Sequence, residues 1–127
     1  MLVFFRMTIK GDELIPQEVQ HRIDLPSEIY LKGSMVYKYE TPLMQKTNRW
    51  VYSVDKSCKN LREAQSFLTQ QLKIIFRQKT ELKKYIEKYQ SVLDLIFYTD
   101  NKSFIRLSKS NLKILSELGI NLMISFH

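Results

Sequence analysis

The chain opens with Val3, Phe5, Met7 and Ile9 on one parity and Arg6, Thr8 and Lys10 on the other. That is the two-residue period of a strand that buries one face. The closing segment has the same form, with Ile120, Leu122, Ile124 and Phe126 alternating with Asn121, Met123 and Ser125. Both ends are therefore expected in a sheet. Trp50, Tyr52 and Val54 alternate with Arg49, Val51 and Ser53 and predict a further strand over 49–54, and residues 92–98 are rich in β-branched and aromatic side chains. Asp100-Asn101 then predicts a turn, with 104–107 returning as the hairpin partner of 92–98.

The helical period appears in three places. Pro16 suits the first position of a short helix, where its missing amide would be unpaired in any case, and Ile15, Val19 and Ile23 recur at four-residue spacing until Pro26 stops the run. Asn60 is a good N-cap for the longest element, whose Leu61, Ala64, Leu68, Leu72 and Ile75 form one apolar stripe rejoined by Leu82, Ile86 and Tyr89. Lys79 projects onto that same stripe, so the spacing predicts a break near Gln78, as two helices or one bent one. Ser108 caps a last helix carrying Leu112, Leu115 and Leu118, which Gly119 closes in the left-handed conformation. Residues 27–48 hold no sustained period, carry Gly33 and Pro42, and read as an ordered loop with a short strand around 35–39.

This order predicts an α+β fold: a mainly antiparallel sheet with helices packed on one face, ferredoxin-like with insertions. No repeat or linker divides the chain, and 127 residues fit one domain over 1–127. The hydrophobic fraction of 44% is enough for a core of its own. The longest apolar run, Met1–Phe5, is far too short for a membrane span or a secretory signal, so a cytoplasmic location without membrane contact is expected. With one cysteine and two histidines, an internal disulfide and the common zinc clusters are excluded, and no cofactor is expected.

Charge changes the picture more. The net charge is +7, and residues 56–88 carry most of it. Within that stretch Arg62, Lys73, Arg77, Lys84 and Lys88 fall on one stripe about 80° wide on a helical projection, opposite the apolar stripe. Such a ridge is either a solvated helix face, a steering surface for an acidic protein partner, or a phosphate-binding face for nucleic acid. No zinc finger, glycine-rich phosphate loop or RNA-binding aromatic signature accompanies it, which weighs against base reading. Tyr37, Tyr39 and Trp50 form a second candidate contact surface, since Tyr and Trp give large contact areas at low entropic cost; Trp50 serves equally as a core anchor.

Catalytic chemistry has little to rest on. Cys58 lies between Lys56 and Lys59 just before a helix N-terminus, where cations and the helix dipole lower a thiol pKa. A nucleophile also needs a base and an oxyanion site, and neither His21 nor His127 stands in such a context. Asp94 is a carboxylate in mid-strand, which requires a solvated face or a nearby cation.

The first strand running into Gly11-Asp12-Glu13-Leu14, then Pro16 and its short helix, Trp50 opening a strand, the long helix, and the closing segment from Leu115 to Phe126 are similar over the whole chain to a small bacterial family catalogued as domain of unknown function 4279. The chain departs from that pattern at its last residue, His127, where an aromatic is common. The family brings no assigned catalytic or cofactor residues. Its likeness to small single-domain proteins found beside bacterial toxin or phage-defence genes implies a partner-binding role such as an immunity protein. The expectation is a non-enzymatic, protein-binding domain, with a nucleic-acid-binding accessory domain using the 61–88 basic face as the alternative.

Overall fold

A computed structural model describes residues 1–38, 41–100 and 105–127. Strand β1 (Leu2–Gly11) is the middle of a five-stranded sheet, and its odd positions Val3, Phe5, Met7 and Ile9 are all buried, as the alternation predicts. Helix α1 (Pro16–Arg22) follows, with Val19 and Ile23 buried. Ile15, at the N-cap, is exposed and takes no part in that face. Residues 27–48 hold more order than their sequence suggests: β2 (Glu28–Tyr30), then a separate antiparallel hairpin of β3 (Met35–Lys38) and β4 (Thr41–Met44). These strands have three or four residues each, too few to show a period, and the turn between β2 and β3 is tied to Asn48 and Asp12. The peptide N–H of Lys32 donates to Asn48 Oδ1 at 2.8 Å, Asn48 Nδ2 donates to the Asp12 carbonyl at 3.1 Å, and Lys32 pairs with Asp12 at 3.5 Å.

Strand β5 (Asn48–Ser57) pairs antiparallel with β1 along its whole length. Helix α2 (Leu61–Phe76) starts at Asn60, whose side chain accepts from the Glu63 amide, and α3 (Lys79–Lys88) follows after an interruption at Arg77 and Gln78. Two helices are therefore present. Lys79 leaves the apolar stripe by lying over the Phe76 ring and reaching Glu117 at 3.6 Å. Strand β6 (Gln90–Tyr98), helix α4 (Lys109–Leu118) and strand β7 (Asn121–Phe126) complete the chain, and the sheet order is β2-β5-β1-β6-β7.

Two expectations are corrected here. The hairpin of 92–98 with 104–107 does not form: β6 has β1 on one side and β7 on the other, so neither edge is free, and residues 105–107 are not in a strand. The expected turn at Asp100-Asn101 and residue Phe104 fall partly or wholly outside the described residues. On α4 the buried face is Asn111, Leu115 and Leu118, while Leu112 is exposed. Asn111 Nδ2 donates to Thr69 Oγ1 at 3.1 Å, so a hydrogen bond to α2 takes the place of the expected leucine contact. Ser108 caps α4, and Gly119 ends it at φ 69°, as the sequence predicts.

The helices cover one face of a mainly antiparallel sheet, the α+β architecture expected. The strand order does not reproduce the split βαβ of a ferredoxin-like layout, because β6 and β7 pair directly and in parallel across the α4 crossover. Trp50, Phe5, Phe97, Leu68, Leu72 and Leu93 are among the large side chains sealed in the core.

Candidate functional site

The residues of the expected basic ridge are distributed over two helices and two grooves. Arg62 and Lys73 are exposed on α2 and line a shallow groove of about 410 Å³ with Gln65, Ser66, Thr69 and Gln70. Arg77 stands exposed at the interruption between the helices. Lys84 and Lys88 belong to another cleft, shared with Glu13, Glu18 and Arg22, and Lys84 Nζ is held by Glu81 at 3.0 Å. Among the described residues Lys79, Lys83 and Lys84 of α3 each reach a carboxylate, whereas Arg62 and Lys73 of α2 have none within ion-pairing distance.

The aromatic candidates also separate. Trp50 is wholly buried and is a core residue; its side chain is closed to any partner. Tyr37 on β3 is 73% exposed. Tyr39 lies outside the described residues. Cys58 is buried, and burial is the main cause that pushes its thiol pKa up, against a smaller lowering by Lys56. The activated thiol that the flanking lysines suggested is therefore not what the fold makes, because loss of water outweighs the nearby cation. His21 is exposed, and His127 stacks on Tyr98 with ring centroids 5.3 Å apart.

The stronger site lies on the sheet face that the helices leave open. Even-numbered positions of β1 point there, and strand pairing sets Lys10 directly opposite Arg49 of β5 and Arg6 opposite Asp94 of β6. Thr8 sits between Val51 and Val92. Residues Leu43 to Thr47, from β4 and the turn into β5, rise beside this floor and enclose a cleft of about 480 Å³. Its lining brings together Arg6, Lys10, Lys46 and Arg49 with one carboxylate, Asp94. Among the described residues no carboxylate stands within ion-pairing distance of any of the four cations.

Arg49 is held for this role. Its Nη2 donates to Gln45 Oε1 at 2.6 Å, and its guanidinium lies 4.7 Å from the centre of the Tyr30 ring. The Tyr30 hydroxyl donates to Glu28 at 2.6 Å, and this bond is the first cause of its raised pKa, followed by burial. Tyr30 thus stays a neutral platform under the cation. Further along the same face the surface turns aromatic: Phe4 meets Tyr98 edge to face at 5.7 Å, and Tyr98 carries His127.

A concave site with four cations and one acid focuses positive potential, and hydroxyls from Thr8 and Thr47 add hydrogen-bonding capacity. It suits carboxylate or phosphate groups. Its lining contains no histidine or cysteine. Among the described residues no group of three or more His, Cys, Asp or Glu could hold a metal ion, and no helix is long and apolar enough to cross a membrane.

Sequence reasoning missed this site because its cations lie some forty residues apart along the chain, and only the β1–β5 register unites them. The available signal was the polar parity of the two strands: Arg6, Thr8 and Lys10 on one, Arg49 on the other. No curated protein and no solved structure matches the chain. The family described as Domain of unknown function (DUF4279) matches residues 3–127, nearly the full length, and the chain belongs to that family.

Proposed function

We propose that this chain is a non-enzymatic binding domain that receives an acidic protein partner on the open face of its sheet, anchored in the Arg6, Lys10, Lys46 and Arg49 cleft. The observation that carries this reading is the cross-strand pair of Lys10 and Arg49. Like charges directly opposite one another destabilise a sheet, so the facing of these two cations works against folding. A carboxylate supplied by a partner converts the repulsion into charge-assisted hydrogen bonds. The aromatic end of the face, with Phe4 and Tyr98, adds the contact area typical of protein interfaces. Its finer form is an immunity-type or phage-defence-associated inhibitor acting in the cytoplasm, and a toxin gene beside this one would support it.

A second reading has its own support. Arg62 and Lys73 share the α2 groove with four uncharged polar residues and no acid, a composition that suits the phosphates of a nucleic acid. Fluorescence anisotropy separates the two, using a labelled poly-glutamate peptide and a labelled oligothymidylate. The acidic-partner reading expects peptide binding that is lost in Lys10→Glu/Lys46→Glu and kept in Arg62→Glu/Lys73→Glu. Tighter oligothymidylate binding that disappears in Arg62→Glu/Lys73→Glu would replace it with the second reading, and absence of saturable binding to either probe would remove both.

A further inference from the structure

The two edges of the sheet are built differently. On one side β2 has three residues, includes Glu28 and follows Pro26 closely, features that blunt an edge against unwanted pairing. On the other side β7 runs six residues, Asn-Leu-Met-Ile-Ser-Phe, with no charge and no proline. Met123, Ile124 and Phe126 are exposed there. The His127 amide donates to the Phe97 carbonyl at 2.8 Å, and the His127 carbonyl accepts from Thr99 at 3.0 Å, so odd-numbered residues direct their peptide groups inward to β6. By alternation, the N–H and C=O groups of Leu122, Ile124 and Phe126 point away from the sheet. Among the described residues no strand lies beyond them.

We infer that β7 pairs antiparallel with β7 of a second copy of this chain, around a two-fold axis perpendicular to the sheet and midway between the two Ile124 residues. That axis sets Ile124 against its own copy and Leu122 against Phe126 of the other chain, all on the helix-covered side. Every outward donor then meets an outward acceptor, giving about six hydrogen bonds. The chemistry selects a second copy over an acidic partner. A chain of net charge +7 disfavours self-association through its charged faces, whereas this strand is uncharged and matches itself apolar to apolar. It also offers no cation with which to choose an acidic peptide. The resulting sheet is continuous through both chains, and the helical layers lie on one side.

Sedimentation equilibrium of the full chain up to about 0.2 mM tests this, since pairing over so small an interface is expected to be of micromolar strength or weaker. The expected mass rises from 15.2 kDa toward twice that value with concentration. Ile124→Lys places two cations facing each other across the axis and should remain monomeric with an unchanged far-ultraviolet spectrum, while Leu43→Lys on β4 should dimerise like the unaltered chain. Hydrogen exchange at the Leu122 and Ile124 amides should slow as concentration rises. A monomer at every concentration overturns the inference, as does a dimer that survives Ile124→Lys or association that continues past the dimer.

Discussion

Replacing Lys10 by glutamine should make the protein more stable. Lys10 and Arg49 face each other across β1 and β5, and no carboxylate is in ion-pairing reach of either among the described residues. Like charges directly opposite one another destabilise a sheet, and for a half-exposed pair screened by solvent the repulsion is about 0.8 kcal/mol. This lies within the usual range of about 0.2–1 kcal/mol for cross-strand pairs. In a domain of this size it corresponds to roughly 3 °C in melting temperature. Lys10→Glu, which turns repulsion into attraction, should give about twice the gain. The assay is a thermal melt in about 0.01 M salt, where screening extends to about 30 Å, repeated in about 1 M salt, where it falls to about 3 Å. The order Glu, Gln, Lys should hold in low salt and collapse in high salt. The same variants should bind the acidic peptide less tightly, since a residue kept for binding works against stability. A Lys10→Gln protein that is no more stable in low salt, or a gain that survives high salt, would show that the two cations do not feel each other, and the observation behind the proposed function would be void.

Other consequences follow from burial. Phe5→Ala should cost about 3–5 kcal/mol in urea denaturation, because Phe5 is fully buried in the central strand. Leu122→Ala, on the part-covered edge strand, should cost only about 1–2 kcal/mol, and equal losses would contradict the edge position of β7. Tyr52 donates to Gln71 at 2.7 Å, and burial raises its pKa. Folding therefore favours its neutral form, with that stability fully present below about pH 10 and lost as the pH rises through the folded value. An alkaline titration of the melting temperature should fall less steeply in Tyr52→Phe than in the unaltered chain. Cys58, with its thiol pKa pushed up by burial, should react slowly with a disulfide-exchange reagent near pH 8 and quickly once urea is added; fast labelling of the folded chain would mean an exposed thiolate.

Much of this fold is written locally. The alternation of β1, the caps Asn60 and Ser108 and the closing Gly119 each depend on a few adjacent residues, and the structure keeps them all. What the sequence could not show depends on distant partners. The hairpin expected of 92–98 was sound as local turn chemistry, but it loses to two longer ladders, with β1 and with β7. Asn111 and Leu112 lie on adjacent helical rows, and only the position of Thr69 on α2 decides which one turns inward. The candidate site is the clearest case. Counting charges along the chain points to 56–88, where cations are dense in sequence, yet Glu13, Glu18 and Glu81 gather around Lys84 and Lys88 in space. Lys10 and Arg49 look unremarkable as single strand residues, and become a site only through their register.

Charge and apolar surface are also divided between separate parts of the molecule, and that division bears on how the two proposed contacts combine. The cleft occupies the open sheet face, and the apolar strand forms the edge. Two copies stacked face to face would bring Arg6, Lys10, Lys46 and Arg49 against their own duplicates and repel. Pairing through β7 avoids that repulsion and leaves both open faces free. Because the two-fold axis is perpendicular to the sheet, both clefts then face the same side of the dimer. An acidic partner long enough, or itself two-fold, can engage both, with the second contact made at an effective concentration of the order of millimolar. Ile124→Lys, which touches neither cleft, should then weaken binding of a long poly-glutamate chain while leaving that of a short peptide unchanged. Equal effects on both lengths would mean that the clefts act singly whatever the state of the edge.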